Sequence, residues 1–311
     1  MKNILIAFIC LFVVGGAVYY FISKDQTDVN YEKPELTPTQ TENNIPEVET
    51  PVTENEVATP TVVRGEMEVI GQSVGGEDIV AYHFGTGDKE ALFIGGIHGG
   101  YSWNTALLAY ELIDWLKKTP TAIPDDVSVT IIPTLNPDGL KKIAGTSGSF
   151  TAASITGTEA DKAKARFNNN NVDLNRNFSC EWKAVGTWQN QSVSGGSEPF
   201  SEPETKAIRA YVAKYEPSAV VTWYSAAGGV YASNCKQGIL PETKALTELF
   251  AKASGYSAHE EFNYYEITGD MVNWFASENI PAISVLLTDH KNSELNKNKA
   301  GVEAVLNYLA E

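Results

Sequence analysis

The segment Ala-Leu-Phe-Ile-Gly-Gly-Ile at residues 91–97 constrains this chain more than any other. It is apolar almost throughout, so it needs cover on both of its faces and fits a buried strand rather than a surface ribbon. Gly95, Gly96, Gly99 and Gly100 mark a turn after it, and Leu108, Leu112 and Trp115 then recur at helical spacing over residues 103–117. The order strand, turn, helix comes back further on. Strand-like runs fall at 127–132, 219–223 and 283–287, with helical stretches at 202–215, 241–253, 270–278 and 293–309. Upstream, runs at 67–73 and 79–84 flank Gly75-Gly76 and predict a hairpin. This alternation predicts an α/β fold over residues 65–311, with a mixed, mainly buried β-sheet and helices on both faces.

The first 64 residues read differently. After Lys2, residues 4–22 form a 19-residue apolar run, about 28 Å long as a helix and enough to span a bilayer. Residues 1–24 are therefore read as a single-pass membrane anchor with the bulk of the chain on the extracytoplasmic side, or as a cleaved signal peptide. Either reading exports the rest. Residues 25–64 are read as an acidic, disordered linker: within 25–63 stand eight Thr, five Pro, nine acids and one base, too little apolar surface to offset the entropy of ordering. The whole chain has 23 Lys plus Arg against 39 Asp plus Glu, a net charge of −16, which leaves no basic surface for a phosphate backbone and excludes nucleic acid as a partner.

Loops that follow the strands of a buried sheet carry ligands, and here they hold six motifs in order. These are His98-Gly-Gly-Tyr101-Ser102-Trp103-Asn104, Asn136-Pro-Asp-Gly139, the stretch from Arg166 through Asp173-Leu-Asn175-Arg176-Asn-Phe178, Pro199-Phe-Ser-Glu-Pro-Glu204, Trp223-Tyr224-Ser225, and the stretch from Tyr265 to Trp274. Together they resemble the zinc carboxypeptidase family, peptidase family M14, across residues 65–311.

The resemblance implies a site in two parts. In the first, Asn175 and Arg176 grip the free carboxylate of a peptide, Tyr265 closes over it, and Arg166 polarises the scissile carbonyl and holds the oxyanion. The second is a zinc centre, and there the sequence departs from the family. His98 is kept, but Ser102 stands where the family has a Glu ligand, Tyr224 where it has a second His, and Leu286 where it has the general-base Glu. A catalytic zinc needs three protein ligands and an open position, and loss of a general base alone costs roughly 10²- to 10⁴-fold in rate. Zinc is thus expected to be lost or weakly bound, with Glu266, Asp289 and His290 as the remaining candidates for a base.

The reading that follows is a degenerate pseudo-peptidase that binds peptide or cell-wall stem-peptide C-termini without hydrolysis. The alternatives are an active zinc carboxypeptidase with a non-standard metal shell and a purely structural surface protein. Bland roles are expected for the replaced positions: Ser102 as an N-cap for the helix from Trp103, the Tyr224 hydroxyl bonded to His98 or Ser102, Leu286 as an ordinary buried strand residue, and His98 as a hydrogen-bonded histidine. His83 and His259 are expected to be solvated, and Ser225 lacks a Gly-x-Ser-x-Gly context. Cys180 and Cys235 are the only cysteines beyond the N-terminal run and are free to pair in an oxidising compartment. Val272 and Asp270 both fall near where the family sets side-chain preference, and they point to different substrates.

Overall fold

The computed structural model describes residues 64–311; the expected membrane helix and acidic linker lie outside the described residues. Among the described residues no helix is long and apolar enough to cross a membrane. In chain order the first half holds β1 (Met67–Gln72), β2 (Asp78–Gly85), β3 (Lys89–Ile94), α1 (Trp103–Lys118), β4 (Val127–Ile132), α2 (Pro137–Ala144) and α3 (Glu159–Lys164). There follow β5 (Val185–Trp188), β6 (Gln191–Ser194), α4 (Pro203–Tyr215), β7 (Ala219–Ser225), β8 (Gly229–Ala232), α5 (Pro241–Ser254), β9 (Ser257–His259), α6 (Met271–Ser277), β10 (Ala282–Leu287) and α7 (Leu295–Ala310).

Eight strands form one sheet in the order β1-β2-β4-β3-β7-β10-β8-β9. Its centre, β4, β3, β7 and β10, is parallel, and antiparallel pairs flank it at β2–β4 and β10–β8. Alternation along each buried strand feeds two core layers. Phe93, Val221, Trp223 and Val285 pack under α1, α5 and α7, while Leu92, Ile94, Val220, Tyr224 and Leu286 pack under α4 and α6. The helices therefore cover both faces, as the continuous apolar runs require.

β3 sits between β4, which follows it in the chain, and β7, which comes much later. That reversal of strand order opens a crevice at the carboxyl ends of β3 and β7. The backbone after β3 turns there because Gly96 adopts φ +62°, and a Cβ on it would meet Thr134 Cα at 2.9 Å and Pro133 O at 3.0 Å. Ile97 belongs to this turn rather than to the strand.

Some elements escape a sequence reading because they are too short to show a period. β8 and β9 have four and three residues, and the separate β5–β6 hairpin pairs two four-residue strands, one of them Gln-Ser-Val-Ser. His83, expected in solvent, is buried: β2 presents it to α4, where its Nδ1 lies 2.9 Å from Thr130 Oγ1 and its ring stacks on Tyr211.

Cys180 and Cys235 form a disulfide with a Cα–Cα distance of 6.0 Å, tying the loop after Arg176 to the loop after β8. Replacing both by Ser is expected to lower the free energy of unfolding by about 2–4 kcal/mol. Urea unfolding of the two proteins checks this, and coincident transitions would contradict it.

Candidate active site

The crevice is a pocket of about 580 Å³ whose lining includes His98, Tyr101, Arg166, Asn175, Tyr224, Tyr265, Leu286 and His290. Parallel register brings Tyr224 of β7 beside Leu286 of β10 on one face of the sheet, and His98 reaches the same place from the turn after β3. The His98 and Tyr224 rings lie 5.5 Å apart. The sequence motifs thus do converge, and what they assemble is not a metal shell.

His98 is 5% exposed, and neither of its ring nitrogens has a hydrogen-bond partner among the described residues. Burial, and after it the charges of Arg166, Arg176 and His290, holds its pKa well below the usual imidazole range. The ring is neutral. It is therefore not the hydrogen-bonded histidine expected from the sequence. Ser102 is buried as well, and its Oγ also lacks a partner among the described residues. It makes no side-chain cap on α1; instead Thr105 Oγ1 donates to the Ser102 carbonyl at 2.8 Å and accepts from Gly96 N at 3.1 Å. The Tyr224 hydroxyl turns away from both and donates to Asn175 Oδ1 at 3.2 Å, while burial raises its pKa well above the ordinary phenol value.

One imidazole, an aliphatic hydroxyl and a phenol committed elsewhere do not fit zinc, which takes thiolate, imidazole or carboxylate donors. Among the described residues no group of three or more His, Cys, Asp or Glu side chains could hold a metal ion. Leu286, 8% exposed, offers no base. Of the three candidates for that task, Glu266 is exposed and paired with Lys183 at 2.6 Å, and Asp289 accepts from the backbone of Lys291 and Asn292. His290 is the one whose ring faces the pocket with a nitrogen to spare.

A buried imidazole whose nitrogens find no partner among the described residues carries a desolvation cost of about 1–3 kcal/mol. His98→Phe is accordingly expected to raise the free energy of unfolding by about 1–3 kcal/mol. Because the folded pKa of His98 lies below its unfolded value, this residue costs the wild type stability as pH falls through about 6.5, a loss the variant is spared while both keep those of His83 and His290. Its advantage should widen on acidification. Urea unfolding at about pH 7.5 and about pH 5.5 checks this; a wild type more stable than His98→Phe at both would contradict it.

The two arginines divide their roles in a way the sequence does not reveal. Arg176 is fully buried and does not line the pocket. Its Nε and Nη2 donate to the Thr187 carbonyl at 3.3 and 2.8 Å, and its Nη1 donates to the Asn175 carbonyl at 2.7 Å. The fork expected to grip a substrate is spent on two main-chain carbonyls, Thr187 in β5 and Asn175. Arg166 is the opposite case. Among the described residues only its Nε is committed, to Asp173 Oδ2 at 2.8 Å, and Nη2 is buried without a partner. Its guanidinium carbon lies 4.6 Å from the centre of the Trp188 ring and 5.8 Å from that of Tyr101, so the aromatic rings hold the fork against the pocket wall.

Asn175 donates from Nδ2 to Asp270 Oδ2 at 2.8 Å and accepts on Oδ1 from Tyr224 and from Met271 N. Asp270 lines the pocket, and burial raises its carboxyl pKa. Val272 is 1% exposed and outside the lining, so of the two positions that compete to set preference only Asp270 faces a ligand. Tyr265, half-buried, stands at the rim against Phe262. The sequence assigns no role to Tyr101, Trp188 or Asn104; the first and last lie inside the His98 motif, whereas nothing marks Trp188 before the hairpin is seen.

The family model for zinc carboxypeptidases matches residues 56–300. This chain belongs to the zinc carboxypeptidase family, M14. It is 28% identical over 156 residues to carboxypeptidase B of Astacus astacus, covering 48% of this chain and 50% of that protein, so it spans about half the length of that relative. Bovine thrombin-activatable fibrinolysis inhibitor, solved with tick carboxypeptidase inhibitor, superposes with a TM-score of 0.63 at 16% identity, covering 79% of this chain and 90% of that one. The murein-tripeptide amidase MpaA of Escherichia coli O157 gives 0.53 at 20% identity, covering 80% and 93%. Both share the fold.

Proposed function

We propose that this protein is a degenerate M14 carboxypeptidase that receives the C-terminal ends of peptides, among them cell-wall stem peptides, without cutting them. The observation that carries the reading is the state of His98: the one retained family ligand has both nitrogens unengaged among the described residues, with Ser102, Tyr224 and Leu286 at the other three stations. No step of hydrolysis runs through these side chains. Binding remains available. The Arg166 fork supplies free donors for a carboxylate or a carbonyl, Asn175 frames the pocket floor, and Tyr265 stands where it can close over a bound chain. Asp270 is a buried carboxylate with an amide and a backbone N–H for partners, which favours a terminal residue that brings its own cation. The murein tripeptide named for the MpaA fold relative supports wall peptides as the natural class. Residues 4–22 and the acidic stretch after them would tether the domain outside the membrane, a setting in which the Cys180–Cys235 bridge is stable. The net charge of −16 argues against nucleic acid.

Titration calorimetry with N-acetyl-Ala-Ala-Lys and with its C-terminal carboxamide tests this. The free acid is expected to bind roughly 10- to 150-fold more tightly, the worth of charge-assisted hydrogen bonds, and mass spectrometry should find the peptide intact afterwards. Release of lysine, or equal affinity for acid and amide, would overturn the reading.

A further inference from the structure

We infer that His290 is a specificity-determining acceptor, locked by Asn104 and Ser225 in the tautomer that presents a bare Nε2 to the pocket, and that with Arg166 it recognises a backbone amide of the bound peptide. The inference rests on the receptor reading for its ligand, and on hydrogen-bond logic for its relay. Asn104 Nδ2 donates to the Asp289 and Asn292 carbonyls at 2.7 and 3.0 Å. Those two acceptors fix the orientation of the amide, since a flipped Asn104 would set oxygen against oxygen twice. Its Oδ1 must then face Ser225 Oγ, 3.1 Å away, and as a pure acceptor it takes the Ser225 hydroxyl proton.

Ser225 has one hydrogen, and that hydrogen is used. The 2.9 Å contact between Ser225 Oγ and His290 Nδ1 therefore needs its proton from the ring. A neutral His290 protonated on Nδ1 carries its lone pair on Nε2, and Nε2 has no partner among the described residues while the ring lines the pocket. Burial, with the nearby Arg166 charge, also lowers the pKa of His290 and keeps the ring neutral, against the opposing pull of Glu159 and Asp289.

Tyr101 joins this acceptor to a donor. Its ring centre lies 4.5 Å from that of His290 and 5.8 Å from the Arg166 guanidinium carbon, so the acceptor and the fork, whose Nη2 has no partner among the described residues, stand against the same aromatic ring. A carbonyl oxygen suits Arg166 and the amide N–H suits Nε2. Ser225 is in this scheme a positioning residue and no nucleophile, because its proton points to Asn104.

Two measurements test it on the full chain. Nitrogen-15 NMR should show His290 with Nδ1 protonated and Nε2 bare, and Ser225→Ala should let the tautomers mix. Calorimetry should show N-acetyl-Ala-Ala-Lys binding about 2- to 12-fold more tightly than the depsipeptide with an ester in place of the last amide, a difference that shrinks in His290→Phe to what the weaker ester carbonyl costs at Arg166. A protonated Nε2, or an ester penalty of equal size in wild type and His290→Phe, would overturn the inference. Failure of wild type to bind either ligand would instead overturn the receptor reading together with the amide assignment, and the spectrum would still decide the relay.

Discussion

Ser102→Glu combined with Tyr224→His is expected to convert this chain into a zinc protein. His98 already provides a neutral imidazole at the carboxyl end of β3, so no proton has to be displaced from it when metal arrives. The two substitutions would supply the carboxylate and the second imidazole at the stations where the family carries them, completing three protein ligands with one position open. Removing the Tyr224 ring empties the volume a metal and its water need, and Asn175 Oδ1 keeps its bond from Met271 N at 3.2 Å. Zinc at a thousandfold excess over its dissociation constant should then stabilise the double variant by about 4 kcal/mol and leave the wild type unmoved. Adding Leu286→Glu should restore turnover, since a positioned carboxylate base contributes roughly 10²- to 10⁴-fold. Thermal unfolding with and without zinc measures the first effect, and release of C-terminal lysine the second. Equal zinc stabilisation of wild type and double variant would show that the shell was never lost.

The second large effect is expected at Arg166. Asp173 is fully buried, and among the described residues its carboxylate accepts, beyond Arg166, only from Asn175 N at 3.2 Å. Arg166→Ala would strand that charge, and breaking one side of a buried pair costs about 3–5 kcal/mol. Arg166→Lys keeps the charge and separates binding from folding: it should fold, yet lose roughly 10- to 150-fold in affinity for the free-acid peptide, because an ammonium cannot hold Asp173 and also present a fork. Arg176→Gln should act mainly on folding, loosening the β5–β6 hairpin that its guanidinium pins through Thr187, and should cost less affinity than Arg166→Lys because it reaches the Arg166 fork only through Trp188. If Arg176→Gln abolished binding and Arg166→Lys did not, the assignment of the two arginines would be reversed.

The contrast between these arginines marks the limit of what a sequence displays. The buried runs at β3, β4, β7 and β10 are legible because a strand covered on both faces must be apolar throughout, and α1 is legible because its buried positions recur with the helical period. Positions within the site are legible too: His98, Ser102, Tyr224 and Leu286 follow from motif order, and register brings Tyr224 and Leu286 side by side. Hydrogen-bond allegiance is not legible. Arg166 and Arg176 look alike in the chain, and only the short β5–β6 hairpin decides that one fork is consumed by main-chain carbonyls while the other stays open. Ser102 stands at a cap position yet caps nothing, because Thr105 takes over the turn with its own hydroxyl. The relay from Asn104 through Ser225 to His290 joins residues 121 and 65 positions apart, a separation no local pattern records.

Zinc titration of the full wild-type chain, purified without chelators and followed by calorimetry with metal analysis of the recovered protein, tests the loss of the hydrolytic centre most directly. No saturable site is expected, and recovered protein should hold far less than one zinc per chain. A stoichiometric, chelator-reversible ion whose binding shifts the His98 ring resonances would contradict it.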